Sequence, residues 1–209
     1  RPEIPRAGGG DTGDVLFVLD TSYTTQRARL DRAARLVGRM TRGLSHGAKV
    51  RVVGCAMECT DVSSWQEAGS VVAADLTQKI RAIEPLGATW LPRAFQHAAD
   101  LVRRRPNTRI VYVGDGVATM GETEPSRVAR MVEEALGDQR MALVSLGGDV
   151  DTIMLDTIAG RTGAAHVAHT SRDTLRATAL RTLRRLVEEP LRGVELTLPE
   201  GLTKSAPAQ

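Results

Sequence analysis

Apolar positions along the chain alternate between two patterns. Asp14–Asp20 (DVLFVLD), Lys49–Met57 (KVRVVGCAM), Arg109–Val113 (RIVYV) and Met141–Leu146 (MALVSL) are short, nearly unbroken apolar runs. Such runs are the signature of strands buried on both faces of a parallel sheet. Between them apolar residues recur at three-and-four spacing: Leu30, Ala33, Ala34, Val37, Met40 and Leu44, then Val71 to Ile83, then Leu91, Ala94, Phe95, Ala98, Leu101 and Val102, then Val128–Leu136. This spacing predicts amphipathic helices, punctuated by Ser45-His46-Gly47, Pro85-Leu86-Gly87 and Pro106. Pro92 is tolerated in a first turn, where no amide donor is required. Further on, Ile153–Ala159 reads as helix, Ala164–Val167 as a short strand and Leu175–Val187 as a last amphipathic helix, while the polar Glu58–Gly69 leaves room for a short edge strand. The alternation predicts an α/β fold, a doubly wound, mostly parallel open sheet with helices on both faces.

Length and composition narrow this to one domain. The 209 residues are 42% hydrophobic, with no apolar run approaching the length of a membrane span. Residues 1–13 read as a flexible, Gly-rich leader without the apolar core of a secretory signal, and 14–188 as the domain. Residues 189–209 read as an edge strand or the stub of a following domain with a disordered tail, because Leu191, Val194, Leu196 and Leu198 interleave with polar residues after Pro190. The residues do not specify a compartment; a cell-envelope or secreted setting is placed ahead of the cytoplasm.

The net charge is +3 and lysine occurs only at 49, 79 and 204, so the positive charge is almost entirely arginine. Arg27, Arg29, Arg32, Arg35, Arg39 and Arg42 crowd the first helix. A crowd of this kind can bind phosphate backbones or acidic partners. With aromatics at 3% and none interleaved, a solvated helix face is the simpler expectation and nucleic acid is disfavoured. Cys55 and Cys59 stand four apart on what reads as a strand and its end; an extended segment would hold their Cα atoms too far apart for a bridge, so a free, partly buried pair is expected. The histidines at 46, 97, 166 and 169 show no ligand spacing with that pair, so no zinc site is expected.

In doubly wound sheets ligands gather outside the carboxyl ends of the strands, near the reversal of strand order. There Asp20-Thr21-Ser22-Tyr23-Thr24 offers a carboxylate and two hydroxyls on alternate residues, Gly87-Ala88-Thr89 adds a hydroxyl, and Gly114-Asp115-Gly116 adds a second carboxylate. The set is all oxygen. That suits a hard divalent cation, Mg²⁺ first and Mn²⁺ or Ca²⁺ as substitutes. Asp20 and Asp115 would neutralise the ion formally without surplus, leaving it able to accept a carboxylate from outside. Taken alone, the Asp20 segment is also what an ordinary turn or cap looks like; Thr89 and Asp115 turn it into a candidate site.

DVLFVLDTSYT, LGATWL and RIVYVGDGVATMGE, in this order and spacing, resemble the von Willebrand factor type A family: its first strand with a D-x-S-x-S motif, its Gly-Gly-Thr loop and its Thr-Asp-Gly strand. LDTIAGRTGAAHV resembles the family's final helix and strand, so the likeness covers about residues 14 to 188. It implies a Rossmann-like fold and a metal-ion-dependent adhesion site, with Ser22, Thr24 and Thr89 as direct ligands and Asp20 and Asp115 as charge-supplying ligands or water-mediated ones. It also implies a non-catalytic module that engages an Asp or Glu of a protein partner. Thr24 stands where the family pattern has Ser, Tyr23 and Ala88 where it has Gly, and Gly114 where it has Thr. No metal-binding oxygen is lost, but Tyr23 would place a ring at the rim. The tail after Pro190 resembles bacterial relatives of inter-α-trypsin inhibitor heavy chains, which would make the chain a piece of a longer protein.

Two other classes are weighed against this one. A Mg²⁺-dependent phosphotransferase of the haloacid dehalogenase type needs a second acid two residues after its nucleophilic aspartate, where this chain has Ser22. A receiver-like phosphoacceptor at Asp115 would need an acidic pair at the first strand, where only Asp20 stands. No phosphate-binding loop is present, and no nucleophilic Ser or Cys shows an accompanying base. An RNA-binding type A domain using the arginine-rich helix is the remaining alternative.

Overall fold

The computed structural model describes residues 11–188. Its elements run β1 (Asp14–Asp20), α1 (Arg27–Arg42), β2 (Lys49–Cys55), β3 (Cys59–Asp61), β4 (Gln66–Glu67), α2 (Ser70–Arg81), α3 (Leu91–Val102), β5 (Thr108–Val113), α4 (Pro125–Leu136), β6 (Met141–Leu146), α5 (Thr152–Thr162), β7 (Ala165–His169) and α6 (Leu175–Val187). The strands form one seven-stranded sheet in the order β3-β2-β1-β5-β6-β7, with β4 also pairing β2. Only β3 and β4 are antiparallel to their neighbour; β2, β1, β5, β6 and β7 are parallel. The doubly wound, mostly parallel sheet read from the alternation is therefore the fold observed.

Side-chain alternation splits the core into two layers. Val15, Phe17 and Leu19 of β1 pack with α1, α2 and α6, whereas Leu16 and Val18 pack with α3, α4 and α5. Each such Leu or Phe contributes roughly 1.5–3 kcal/mol by leaving water. Helix starts follow local chemistry: the Glu124 carboxylate accepts from the Ser126 and Arg127 amides ahead of Pro125, Asp151 accepts from Met154, and Thr174 from Ala177. Before β1, the buried Thr12 is tied to Ser45 through three hydrogen bonds of 3.0–3.1 Å. Leu191–Leu198, expected to alternate as an edge strand, lies outside the described residues.

The expectation for the cysteines is overturned. β2 stops at Cys55 rather than running on to Met57; the chain turns back and pairs Cys55 directly with Cys59 across the antiparallel ladder. Their Cα atoms are 4.1 Å apart and the two form a disulfide. The extended geometry expected of the segment fails because Ala56 and Met57, though apolar, form part of the turn, with the Ala56 amide donating to Glu58 O at 3.0 Å.

Candidate metal centre

The centre lies where β1 and β5, the two middle strands, end side by side. Asp20 closes β1 and its Oδ1 accepts the Ser22 amide at 2.9 Å, a local turn that brings Ser22 round to the same side. Ser22 Oγ and Thr24 Oγ1 then meet at 2.8 Å. Asp115 follows β5, its Oδ1 accepting the Val117 amide at 3.0 Å. Thr89 sits between these loops: its amide donates to Thr119 Oγ1 at 2.8 Å, and its carbonyl accepts the Thr119 and Met120 amides. Backbone bonds from Tyr23 N to Gly87 O (2.9 Å) and from Leu86 N to Thr21 O (3.0 Å) tie the β1–α1 and α2–α3 loops together. Asp20, Ser22, Thr89 and Asp115 are buried and Thr24 is half-buried. Tyr23, which the sequence places at the rim, is 79% exposed and so does not fill the floor of the centre.

Beneath the carboxylates lies the buried ring of Tyr112. A Cβ on Gly114 would fall 2.2 Å from the Tyr112 hydroxyl and 2.8 Å from Cβ of Asp20. This gives a physical reason for glycine at this position, where the Thr-Asp-Gly pattern noted above would put threonine: the tyrosine occupies the space. Burial holds the Tyr112 phenol well above its ordinary value, helped by the negative charges of Asp20 and Asp115, so it stays protonated.

The donor set fits a hard cation. Asp20 Oδ2 and Thr89 Oγ1 are buried without a hydrogen-bond partner, an arrangement that costs free energy unless another group satisfies them. Among the described residues no three His, Cys, Asp or Glu side chains group as metal ligands. Burial, and then the charge of Asp115, push the Asp20 carboxyl up to about 6, partly offset by hydrogen bonds from Ser22.

A pH dependence follows. Because Asp20 titrates higher in the folded state than in the unfolded chain, the metal-free domain binds the extra proton between about pH 4 and 6 and gains stability as pH falls through that window. The half-buried Glu122 and Asp173 and the exposed Glu124, held below the ordinary carboxylate range by their hydrogen bonds, act in the opposite sense as they become protonated. Urea midpoints of the chelator-treated wild type and Asp20→Asn at pH 7 and pH 4.5 isolate the contribution of Asp20. The wild type should gain on the variant at the lower pH; a constant difference would show that Asp20 is not perturbed.

One side chain that reaches the centre escapes sequence reasoning. Arg29 is not on a solvated face: it is 7% exposed and ion-paired with Asp115. Its Nε donates to Leu146 O at 2.9 Å, Nη1 to Thr24 O at 3.3 Å as well as to Asp115 Oδ2, and Nη2 to Asp149 O at 3.0 Å. A signal for it exists, since Arg29 falls on the same helical stripe as the buried Ala33, Leu36 and Met40. Arg35, by contrast, pairs with Asp31 on the surface.

A second arrangement joins residues that are scattered in sequence. Ser145 Oγ lies 2.9 Å from His166 Nε2, and His166 Nδ1 lies 2.7 Å from Asp156 Oδ1, the connectivity of a hydrolytic triad. Ser145 is 2% exposed and shares its sheet face with Leu143, in the layer that α5 covers. A carbonyl has no approach to it, and the network serves to satisfy a buried hydroxyl.

The family model of the von Willebrand factor type A domain matches residues 13–167. The chain belongs to the von Willebrand factor type A family. This type A domain resembles solved structures at 15–17% identity, a level that speaks for the fold. A von Willebrand factor type A protein from Catenulispora acidiphila superposes with a TM-score of 0.68 at 17% identity, covering 85% of this chain and 43% of that one. The present chain thus spans less than half of that relative's length. An aerotolerance-related membrane protein from Bacteroides fragilis gives 0.65 at 15% identity, covering 83% and 98%. Proximal thread matrix protein 1 from the mussel byssus, with a zinc-occupied adhesion-site motif, gives 0.60 at 15% identity, covering 85% and 48%. No curated protein sequence matches this type A domain. Among its described residues no helix is long and apolar enough to cross a membrane.

Proposed function

We propose that the chain is a non-catalytic protein-binding module that holds a divalent cation, Mg²⁺ in the first place, on Asp20, Ser22, Thr24, Thr89 and Asp115, and offers it to an Asp or Glu of a protein partner. The observation that carries this reading is the pair of buried, unpartnered oxygens, Asp20 Oδ2 and Thr89 Oγ1, in the same loop cluster. A bound cation would supply a Lewis-acid contact for the partner's carboxylate; the chain's own part is to fix the oxygens and shape the rim. The zinc-occupied motif of the mussel protein supports a divalent ion in this place.

The surroundings suit a macromolecular partner. From Thr24 opens a groove of about 990 Å³, lined also by Tyr23, Arg27, Glu84 and Pro85. Tyr23, Met57 and Leu86 are exposed large apolar side chains near Gly87, and such clusters mark contact surfaces. The RNA-binding alternative is weakened because Arg29 is turned inward and Arg35 is paired. The disulfide supports an oxidising compartment, in keeping with the cell envelope or secretion.

Calorimetric titration of Mg²⁺ or Mn²⁺ into the chelator-treated domain tests the proposal. One saturable site is expected, with stabilisation of about 2.7 kcal/mol when the free ion is a hundred times its Kd. No heat and no thermal shift at millimolar metal would sink it.

A further inference from the structure

Arg29 stands outside the five-oxygen set, yet its guanidinium reaches four acceptors on three loops around it. It is buried on the inward stripe of α1, so neither bulk water nor salt replaces it. Its Nη1 engages Oδ2 of Asp115, while the Val117 amide engages Oδ1. Both oxygens of that carboxylate therefore accept from donors, whereas Oδ2 of Asp20, close to the Asp115 carboxyl, has no donor. A divalent cation that uses Asp115 must share it with a fixed positive charge.

We propose that Arg29 is a built-in cation of the site that weakens its hold on a divalent ion and, once that ion is bound, makes the site select an anionic ligand. The inference rests on the metal-binding reading above. With Asp20 and Asp115 ionised, the two carboxylates and the guanidinium leave one negative charge. A divalent ion converts it to one positive charge, which a partner's single carboxylate neutralises. Without Arg29 the loaded site would be formally neutral; it could still accept a carboxylate, but would prefer one over a neutral oxygen ligand less strongly. A unit charge a few ångströms from a divalent ion in a buried site is large enough to shift affinity by about tenfold or more, even when strongly screened. The same group also takes on part of a metal's structural task, since it joins the β1–α1 loop at Thr24, the β5 end at Asp115, the end of β6 at Leu146 and the β6–α5 loop at Asp149.

The test is a Mn²⁺ titration of wild type, Arg29→Gln and Arg29→Lys, followed by calorimetry. Arg29→Gln, which removes the charge, is expected to bind Mn²⁺ at least about tenfold more tightly, and Arg29→Lys, which keeps it, to stay within about threefold of wild type. Acetate titrated into the Mn²⁺-loaded proteins, followed by water-proton relaxation, should bind several-fold more weakly to Arg29→Gln. If Arg29→Gln is unfolded without metal, circular dichroism replaces calorimetry, and refolding at Mn²⁺ concentrations below those that fill the wild type supports the proposal. Binding by Arg29→Gln alone would also support it, with the arginine itself excluding the ion. Binding by the wild type with no gain in Arg29→Gln overturns the role of Arg29 and leaves the metal site standing. No binding by any of the three overturns both.

Discussion

Asp115→Ala is expected to abolish divalent-cation binding and, independently of any metal, to destabilise the domain by about 3–5 kcal/mol. The first effect follows from removing one of only two carboxylates in the candidate site. The second follows from what remains: the Arg29 side chain, 8% exposed, would be left facing the methyl group of alanine, and removing one partner of a buried ion pair leaves an uncompensated charge in a medium that solvates it poorly. The two effects separate in a double variant. Asp115→Ala with Arg29→Met removes the stranded charge, so urea denaturation should return much of the lost stability while calorimetry still records no cation binding. A single variant that loses less than about 1 kcal/mol would mean that water reaches the guanidinium. An unchanged cation affinity would mean that Asp115 is not a ligand.

Gly114→Thr, which introduces the threonine of the Thr-Asp-Gly pattern, should cost about 3 kcal/mol or more instead of improving the site. The added Cβ meets the Tyr112 hydroxyl and Cβ of Asp20 at distances no real contact adopts, and Tyr112 has no exposed side toward which to move. Overpacking of a closed core usually costs about 1–3 kcal/mol, and here it also displaces a carboxylate of the centre. Cation affinity should therefore fall together with stability. A double-mutant cycle with Tyr112→Leu identifies the cause: the combined loss should be smaller than the sum of the single losses, because the shorter side chain vacates the space that threonine needs. Strict additivity would place the strain elsewhere.

The amino-acid sequence alone makes most of the sheet and the candidate ligands legible. Strands such as DVLFVLD and RIVYV declare themselves because a parallel strand covered on both sides has no polar face to interrupt the run. The candidate residues are legible because topology does the gathering: β1 and β5 are neighbours in the middle of the sheet, so residues just past their ends come together although about ninety positions separate them. The β2–β3 hairpin is not legible. Its apolar content continues through Ala56 and Met57, and hydropathy cannot distinguish a strand that goes on from one that turns with apolar residues at the corner. Arg29 is obscured by its neighbours, one arginine among several at helical spacing, and only the phase of the apolar stripe sets it apart. Ser145, His166 and Asp156 lie on two strands and a helix whose relative positions no local pattern encodes.

The four bonds of the Arg29 guanidinium have one more consequence, for the entropy of recognition. Three loops that converge on the centre are held by a covalently attached cation that cannot diffuse away. In the proposed reading, an arriving ion or partner would therefore meet loops already joined to one another, and association would lose less to ordering.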